Sequence, residues 1–141
     1  MIIDEIFSDR YRRILIIALR LTLAIIFFWF GALKIFGYNP VYDLIHSSML
    51  PMMAEGAGLI GLGAFEVVIG LMLMINRAVI VTHTVLVLHL LGTFTTFLFG
   101  WHVVFDPNFP ILSLSGEFVV KNATLAVAGL VVLTHESRKV R

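Results

Sequence analysis

Four long apolar runs constrain this chain more than any other feature of its sequence. They cover about residues 14–36, 58–75, 79–100 and 115–133. A helix needs about 20 mostly apolar residues to cross a hydrocarbon core about 30 Å thick. Each run comes close to this length. We therefore predict an all-α integral membrane protein in which four spanning helices form one antiparallel bundle.

The composition agrees with a membrane protein and excludes several classes of function. Hydrophobic residues make up 60% of the chain and charged residues 13%, against about a quarter charged in soluble domains. The net charge is only +1, so no basic field is available for nucleic acid, which is not an expected partner. Cysteine is absent, which excludes disulfides, thiolate nucleophiles, iron-sulfur ligation and dithiol relays.

The connections between the runs predict a single membrane domain, residues 1–141. A long loop at 37–57, a tight turn at "NR" and a medium loop at 101–114 join the spans, and no internal repeat or low-complexity tract is present. Within the long loop, apolar residues of the stretch 41–53 share one helical face. Such a pattern favours an interfacial segment that lies on the membrane surface.

The distribution of cations predicts the orientation of the bundle. The clusters before the first span, in the tight turn and at the end of the chain are Arg10, Arg12, Arg13, Arg77, Arg138, Lys139 and Arg141. All three sites fall on one side of a four-pass topology. Short cytoplasmic segments carry the excess of arginine and lysine, so we predict that both termini are cytoplasmic.

Ionisable residues within the spans are the candidate functional residues, because such groups are costly in a membrane and usually face the bundle interior. At about 1.5 Å rise per residue, Arg20 and His83 lie just inside the cytoplasmic boundary, and Glu66 and His89 lie near the midplane. The residues placed near the outer boundary are Lys34, Glu117, Lys121 and Asn122.

Helical spacing indicates how some of these residues face. Gly63, Glu66 and Gly70 share one face, where the backbone of a neighbouring helix can approach most closely. A carboxylate at that position is either paired or protonated. His83 and His89 are rotated by about 120° relative to each other, so we expect them to have different partners.

The outer-boundary residues allow more than one arrangement. Lys34 either extends to the headgroups or turns inward to an ionic partner. Glu117 and Lys121 form an i,i+4 pair with a structural or a ligand-binding role, and Ser115 is a candidate N-cap of their helix. The groups that an inward Lys34 is expected to join are Glu117, Lys121 and, as an option, Glu66.

The five histidines are candidate haem or metal ligands, but their positions do not favour either role. His83 and His89 point in different directions, and no second midplane histidine lies on another span. The ligand spacing of a metal site is also missing. We therefore predict no metal and no intrinsic cofactor.

Three stretches carry a resemblance to a known family: "LRLTLAIIFFWFGALKIFGY", "GLGAFEVVIGLMLMIN" and "LSLSGEFVVKNATLAVAGLVVL". The positions that match are Arg20, Gly31, Lys34, Glu66, Gly116 and Lys121. The sequence resembles the DoxX-like family of small four-helix membrane proteins, and is similar to the branch that includes the inner-membrane protein of a reactive-chlorine resistance system. This resemblance implies a bundle in the bacterial cytoplasmic membrane that is linked to redox biology.

Three functions follow as hypotheses, and whether the chain is an enzyme stays open. The first is a non-catalytic or accessory component of redox-stress defence or of a membrane redox complex, with a buried charge network. The second is a quinone-interacting subunit in which Lys34 or Lys121 donates to a quinone carbonyl and a partner redox protein supplies electrons. The third is a small-solute or proton pathway, which would need a homo-oligomer. The candidate residues are Arg20, Lys34, Glu66, His89, Glu117, Lys121 and Asn122.

Overall fold

The computed structural model describes residues 9–140, which fold into helices joined by short connections. The helices are α1 (Asp9–Ile35), α2 (Tyr42–His46), α3 (Gly56–Ile75), α4 (Val79–Thr93), α5 (Thr96–Phe99), α6 (Trp101–Val104) and α7 (Leu114–Val140), with a 3-10 turn at Pro51–Met53. The only extended pairing in this range is an isolated bridge between Phe105 and Leu112. The all-α prediction is therefore confirmed, and residues 1–8 and 141 of the predicted domain lie outside the described part.

Four helical segments are long and apolar enough to cross a membrane, as predicted. They are Asp9–Ile35, Gly56–Ile75, Val79–Phe99 and Leu114–Arg138. A turn divides the third segment into α4 and α5. The fourth helix continues well beyond the predicted end of its apolar run, because helical backbone hydrogen bonds do not require apolar side chains.

Helices α1 and α3 pack backbone to backbone through three glycines, which we call the glycine seam (Gly31, Gly63 and Gly70). A Cβ added at Gly63 would lie 2.6 Å from the carbonyl oxygen of Gly31, and one at Gly70 would lie 2.7 Å from the amide nitrogen of Phe28. The contacts advance along α3 as they recede along α1, so the two helices are antiparallel. The predicted close approach at this face of α3 is confirmed.

The two ends of the bundle differ in what they contain. We call the end with Asn76 the inner end, and the end with residues 41–53 the outer end. A layer of buried leucines and other apolar residues from α1, α3, α4 and α7 fills the region between them. Its members are Ile16, Leu23, Ala24, Phe27, Ile69, Leu73, Leu86, Leu90, Ala126 and Val132. Which side of the membrane each end faces stays a prediction.

The segment 41–53 forms α2 and the 3-10 turn, and it packs on the outer end of the bundle. Leu44 of α2 is buried, and its carbonyl accepts a hydrogen bond from the Thr96 hydroxyl at 3.4 Å. The Asn39 amide donates to the Ala54 carbonyl at 2.6 Å and so joins the two ends of the segment. Its location at the membrane interface stays a prediction.

The start of α7 corrects one prediction. Ser113, not Ser115, supplies the cap, because its Oγ accepts a hydrogen bond from the Gly116 amide at 2.9 Å. The sequence "SLS" offers two serines at similar positions. The choice depends on the preceding loop, where the Ser113 amide donates to the Val104 carbonyl at 2.9 Å and holds this serine at the residue before the helix.

Candidate functional site

A buried ion pair joins α1 to α3 beside the glycine seam. Lys34 Nζ donates to Glu66 Oε2 at 2.6 Å, and the two side chains are 5% and 8% exposed. Lys34 belongs to the last turn of α1, and close backbone packing places its stem against α3, where a Cβ on Gly63 would lie 2.8 Å from Lys34 Cβ. Of the two predicted alternatives for Lys34, the structure shows the inward one.

The second carboxylate oxygen of Glu66 bonds to a third helix. His89 Nε2 of α4 lies 3.1 Å from Glu66 Oε1. The imidazole packs edge-on against Phe27, with 5.7 Å between ring centroids, and in a tilted arrangement against Phe65, with 5.6 Å between centroids. These two rings restrict its orientation. We call Lys34, Glu66 and His89 the Glu66 cluster.

A second cavity with a mostly apolar lining, which we call the small cavity, adjoins the Glu66 cluster. Its volume is about 110 Å³, and its polar lining consists of Lys34, Glu66, His89, Thr93 and Asn122. Asn122 of α7 is buried and donates to Thr93 Oγ1 at 3.1 Å. The Thr93 hydroxyl in turn donates to the Leu90 carbonyl at 2.6 Å. The predicted residues Lys34, Glu66, His89 and Asn122 are thus brought together from four helices.

A larger cavity, which we call the α3–α4 cleft, lies between the outer halves of α3 and α4. Its volume is about 610 Å³. The two helices contribute Gly61, Leu62, Phe65, Val85, Leu88, His89, Gly92 and Thr93 to its walls, and the segment 41–53 closes its outer end. Five residues line both the cleft and the small cavity and form the wall between them: Leu44, Ile45, Leu62, His89 and Thr93.

Glu117 and Lys121 do not join the Glu66 cluster. Lys121 Nζ donates to Glu117 Oε2 at 2.8 Å, but the side chains are 74% and 51% exposed, in that order. The expectation that Lys34 joins these two residues is wrong. At this level α7 turns Asn122 and Phe118 inward, and Phe118 packs against Phe30 with 6.1 Å between ring centroids.

A second polar cluster occupies the inner end of the bundle. We call Arg20, Asn76, His83 and Glu136 the inner-end cluster. His83 is fully buried and lies within electrostatic range of Arg20 and Glu136, which agrees with the predicted common depth of Arg20 and His83. The ring uses Nδ1 to bond the Val79 carbonyl at 2.7 Å. His83 and His89 therefore have different partners, as predicted.

Two members of the inner-end cluster, Asn76 and Glu136, were not among the residues that the sequence predicts for the bundle interior. The Asn76 amide donates to Glu136 Oε2 at 3.2 Å. Glu136 lies beyond the apolar run 115–133, so apolar length gives no indication that it is an interior residue. A signal was present, since Glu136 is fourteen residues after Asn122, a spacing that leaves both within about 40° of one helical face.

Metal ligation and similarity to known proteins add no further constraint. Within residues 9–140, no group of three or more ligand-type side chains is placed to hold a metal ion. Comparisons with family models, curated proteins and solved structures gave no match. The resemblance to the DoxX-like family therefore stays a prediction from the sequence, and the site itself has to support any function.

Proposed function

We propose that this chain is an integral-membrane accessory component of redox-stress defence or of a membrane redox complex. In this proposal the Glu66 cluster stabilises the bundle and performs no chemistry. The redox association is supported by the sequence resemblance, and the structural role by the geometry of the cluster. The proposal also places the chain in the bacterial cytoplasmic membrane with both termini inside.

One observation carries the structural role of the cluster. Both oxygens of Glu66 are occupied by protein groups, one by Lys34 of α1 and one by His89 of α4. The carboxylate thereby ties three helices together at a buried point. Removal of one member of a buried pair leaves its partner uncompensated and is strongly destabilising.

A double-mutant cycle on Lys34→Met and Glu66→Leu tests this role in detergent-solubilised protein. Each single variant strands a polar partner, whereas the double variant removes both charges, so the two losses of stability are expected to be strongly non-additive. Glu117→Gln on the surface pair serves as the control. If both single variants have the same free energy of unfolding as the wild-type protein, the structural role is contradicted.

The redox association needs a separate experiment in the source cells. We expect a strain that lacks this chain to survive hypochlorite exposure less well than its parent, and wild-type protein to restore survival. Complementation with the surface variant Glu117→Gln is the control for expression, and we expect it to restore survival as wild-type protein does. Equal survival of the two strains under several oxidants would remove the redox part of the proposal and leave the structural part standing.

The quinone-interacting subunit is the second candidate, and one observation favours it. Lys34 and Asn122 line the small cavity, and this cavity shares five lining residues, His89 among them, with the α3–α4 cleft. Lys121, the other lysine considered for a quinone carbonyl, lies at the surface. Gentle extraction followed by quinone analysis tests this candidate, because a quinone-free preparation from quinone-replete membranes would count against it.

A continuous proton or solute pathway finds no support in the described helices. Leu23, Leu73 and Leu86 are almost fully buried and, along α1, α3 and α4 respectively, each lies between the inner-end cluster and the Glu66 cluster. Protons move along chains of polar groups or water, and these leucines interrupt such a chain. We therefore do not propose this third function.

A further inference from the structure

Gly61 and Gly92 differ from the other glycines of this protein. All eleven glycines fall within the described residues, and these two alone combine a negative φ with no atom within 4 Å of an added Cβ. Glycine weakens a helix relative to alanine. In the glycine seam, close packing of backbones accounts for glycine. At Gly61 and Gly92 no neighbouring backbone is close enough to require glycine. The missing side chains at these two positions therefore leave open space.

The space that both glycines leave is the α3–α4 cleft, since they face it from opposite helices. A volume of about 610 Å³ falls within the range of about 300 to 1,000 Å³ that is usual for ligand sites. Phe65 and Leu88 line the cleft and are themselves 42% and 62% exposed on the outside of the bundle. An occupant therefore enters from the lipid and presents mainly hydrocarbon to these walls.

His89 is the one ionisable side chain among the residues that line the cleft. Its Nε2 bonds to Glu66, while its Nδ1 has no partner in the described part of the chain. In the neutral ring that donates through Nε2, Nδ1 is an acceptor. The hydroxyls of Ser48, Thr93, Thr95 and Thr96 already donate to backbone carbonyls. His89 Nδ1 is therefore the side-chain acceptor that remains for an occupant, and a hydroxyl group can donate a hydrogen bond to it.

From this we propose that the α3–α4 cleft binds a membrane-soluble molecule with one hydrocarbon chain and a hydroxyl-bearing head group, which donates a hydrogen bond to His89 Nδ1. The inference rests on the second candidate function and deepens it, because a hydroquinone with a hydrocarbon tail belongs to this chemical class. Glu66 acts here as a positioning residue that sets which nitrogen of His89 faces the occupant.

Two photoreactive probes test the proposal on the full chain in phosphatidylcholine nanodiscs. Both carry a dodecyl chain with a diazirine; one has a hydroquinone head kept reduced with ascorbate, and the other has the dimethyl ether of the same head. We expect saturable labelling of cleft residues by the hydroquinone probe, with about ten-fold weaker labelling by the ether, since one hydrogen bond of about 1.4 kcal/mol corresponds to a factor of ten.

Three variants locate the binding. Gly92→Phe places a ring in the cleft from a position where an added Cβ meets no atom within 4 Å, and we expect it to fold normally and to lose saturable labelling. Val127→Phe adds the same ring on the exposed face of α7 and should label like wild type. His89→Phe keeps an aromatic ring beside Phe27 and Phe65, and we expect it to lose the preference between the two probes.

The remaining outcomes overturn the inference. Equal labelling by both probes in wild type would mean that the cleft accepts any lipid chain, and absence of saturable labelling would mean that it holds no specific occupant. Neither result bears on the accessory role, which is measured by the unfolding of Lys34 and Glu66 variants. Quinone that co-purifies with the protein while the cleft stays unlabelled would retain the second candidate function and move its site elsewhere.

Discussion

Two lysine–glutamate pairs in this protein have almost the same geometry and opposite surroundings. Lys34 and Glu66 are 2.6 Å apart with side chains 5% and 8% exposed, whereas Lys121 and Glu117 are 2.8 Å apart with side chains 74% and 51% exposed. An exposed pair contributes little, since solvent screens it and mobile side chains have to be held in place. In a buried pair, each charge depends on the other. Burial, not distance, distinguishes the two.

The pairs also differ in what is needed to form them. Glu117 and Lys121 are four residues apart on one helix, so α7 alone brings them together. Lys34 and Glu66 are separated by 32 residues and meet only because the glycine seam holds α1 against α3. The surface pair reports on local helix formation, and the buried pair reports on assembly of the bundle.

The largest effect is expected for Glu66→Ala. This change leaves the Lys34 ammonium buried without its partner and removes the bond to His89, so we expect a loss of about 3 to 5 kcal/mol in the free energy of unfolding. Equilibrium unfolding in mixed detergent micelles measures it. A loss no greater than that of Glu117→Gln would abolish the distinction between the pairs.

The glycine seam should give the next largest effect. In Gly63→Ala the added Cβ lies 2.6 Å from the Gly31 carbonyl oxygen, so α1 and α3 have to separate, at a typical loss of about 1 to 3 kcal/mol. The same unfolding measurement applies. Gly61→Ala on the same helix is the matched control, because nothing lies near its added Cβ; we expect unchanged or slightly higher stability.

Removing both charges of the buried pair is expected to have a much smaller effect than removing one. Apolar residues of similar size often replace a buried ion pair without loss, so Lys34→Met combined with Glu66→Leu should lose only the contribution of the hydrogen bond from His89 to Glu66, about 1 kcal/mol. If the double variant instead loses the sum of both single losses, the two residues stabilise the bundle independently and do not act as a pair.

The smallest effect is expected for the surface pair. Glu117→Gln and Lys121→Gln leave no buried group without a partner, and both side chains are largely exposed. We expect melting temperatures indistinguishable from wild type at moderate salt. A clear loss for either variant would indicate that the pair contacts something other than solvent or headgroups, and would renew the possibility of a ligand role for Lys121.

The hydrophobic runs were sufficient to predict four spanning helices. The glycine spacing predicted the close approach at Gly63, and the histidine spacing predicted different partners for His83 and His89. These features follow from periodicity along one helix, which the sequence contains directly. The position of Ser113 and the inward turn of Glu136 were not predicted. Both depend on a loop or on the rotation of α7, which periodicity does not specify.

By itself, the sequence determined that the chain is an all-helical membrane protein and that few ionisable groups lie within its spans, because apolar length and charge content alone decide these properties. Only the tertiary structure decided which of those groups meet. Lys34 had carboxylate candidates on two other helices, and the choice of Glu66 over Glu117 depended on how each helix is rotated about its axis. That rotation results from packing between helices: glycine contacts orient α1 and α3, and the contacts of Phe118 and Asn122 orient α7.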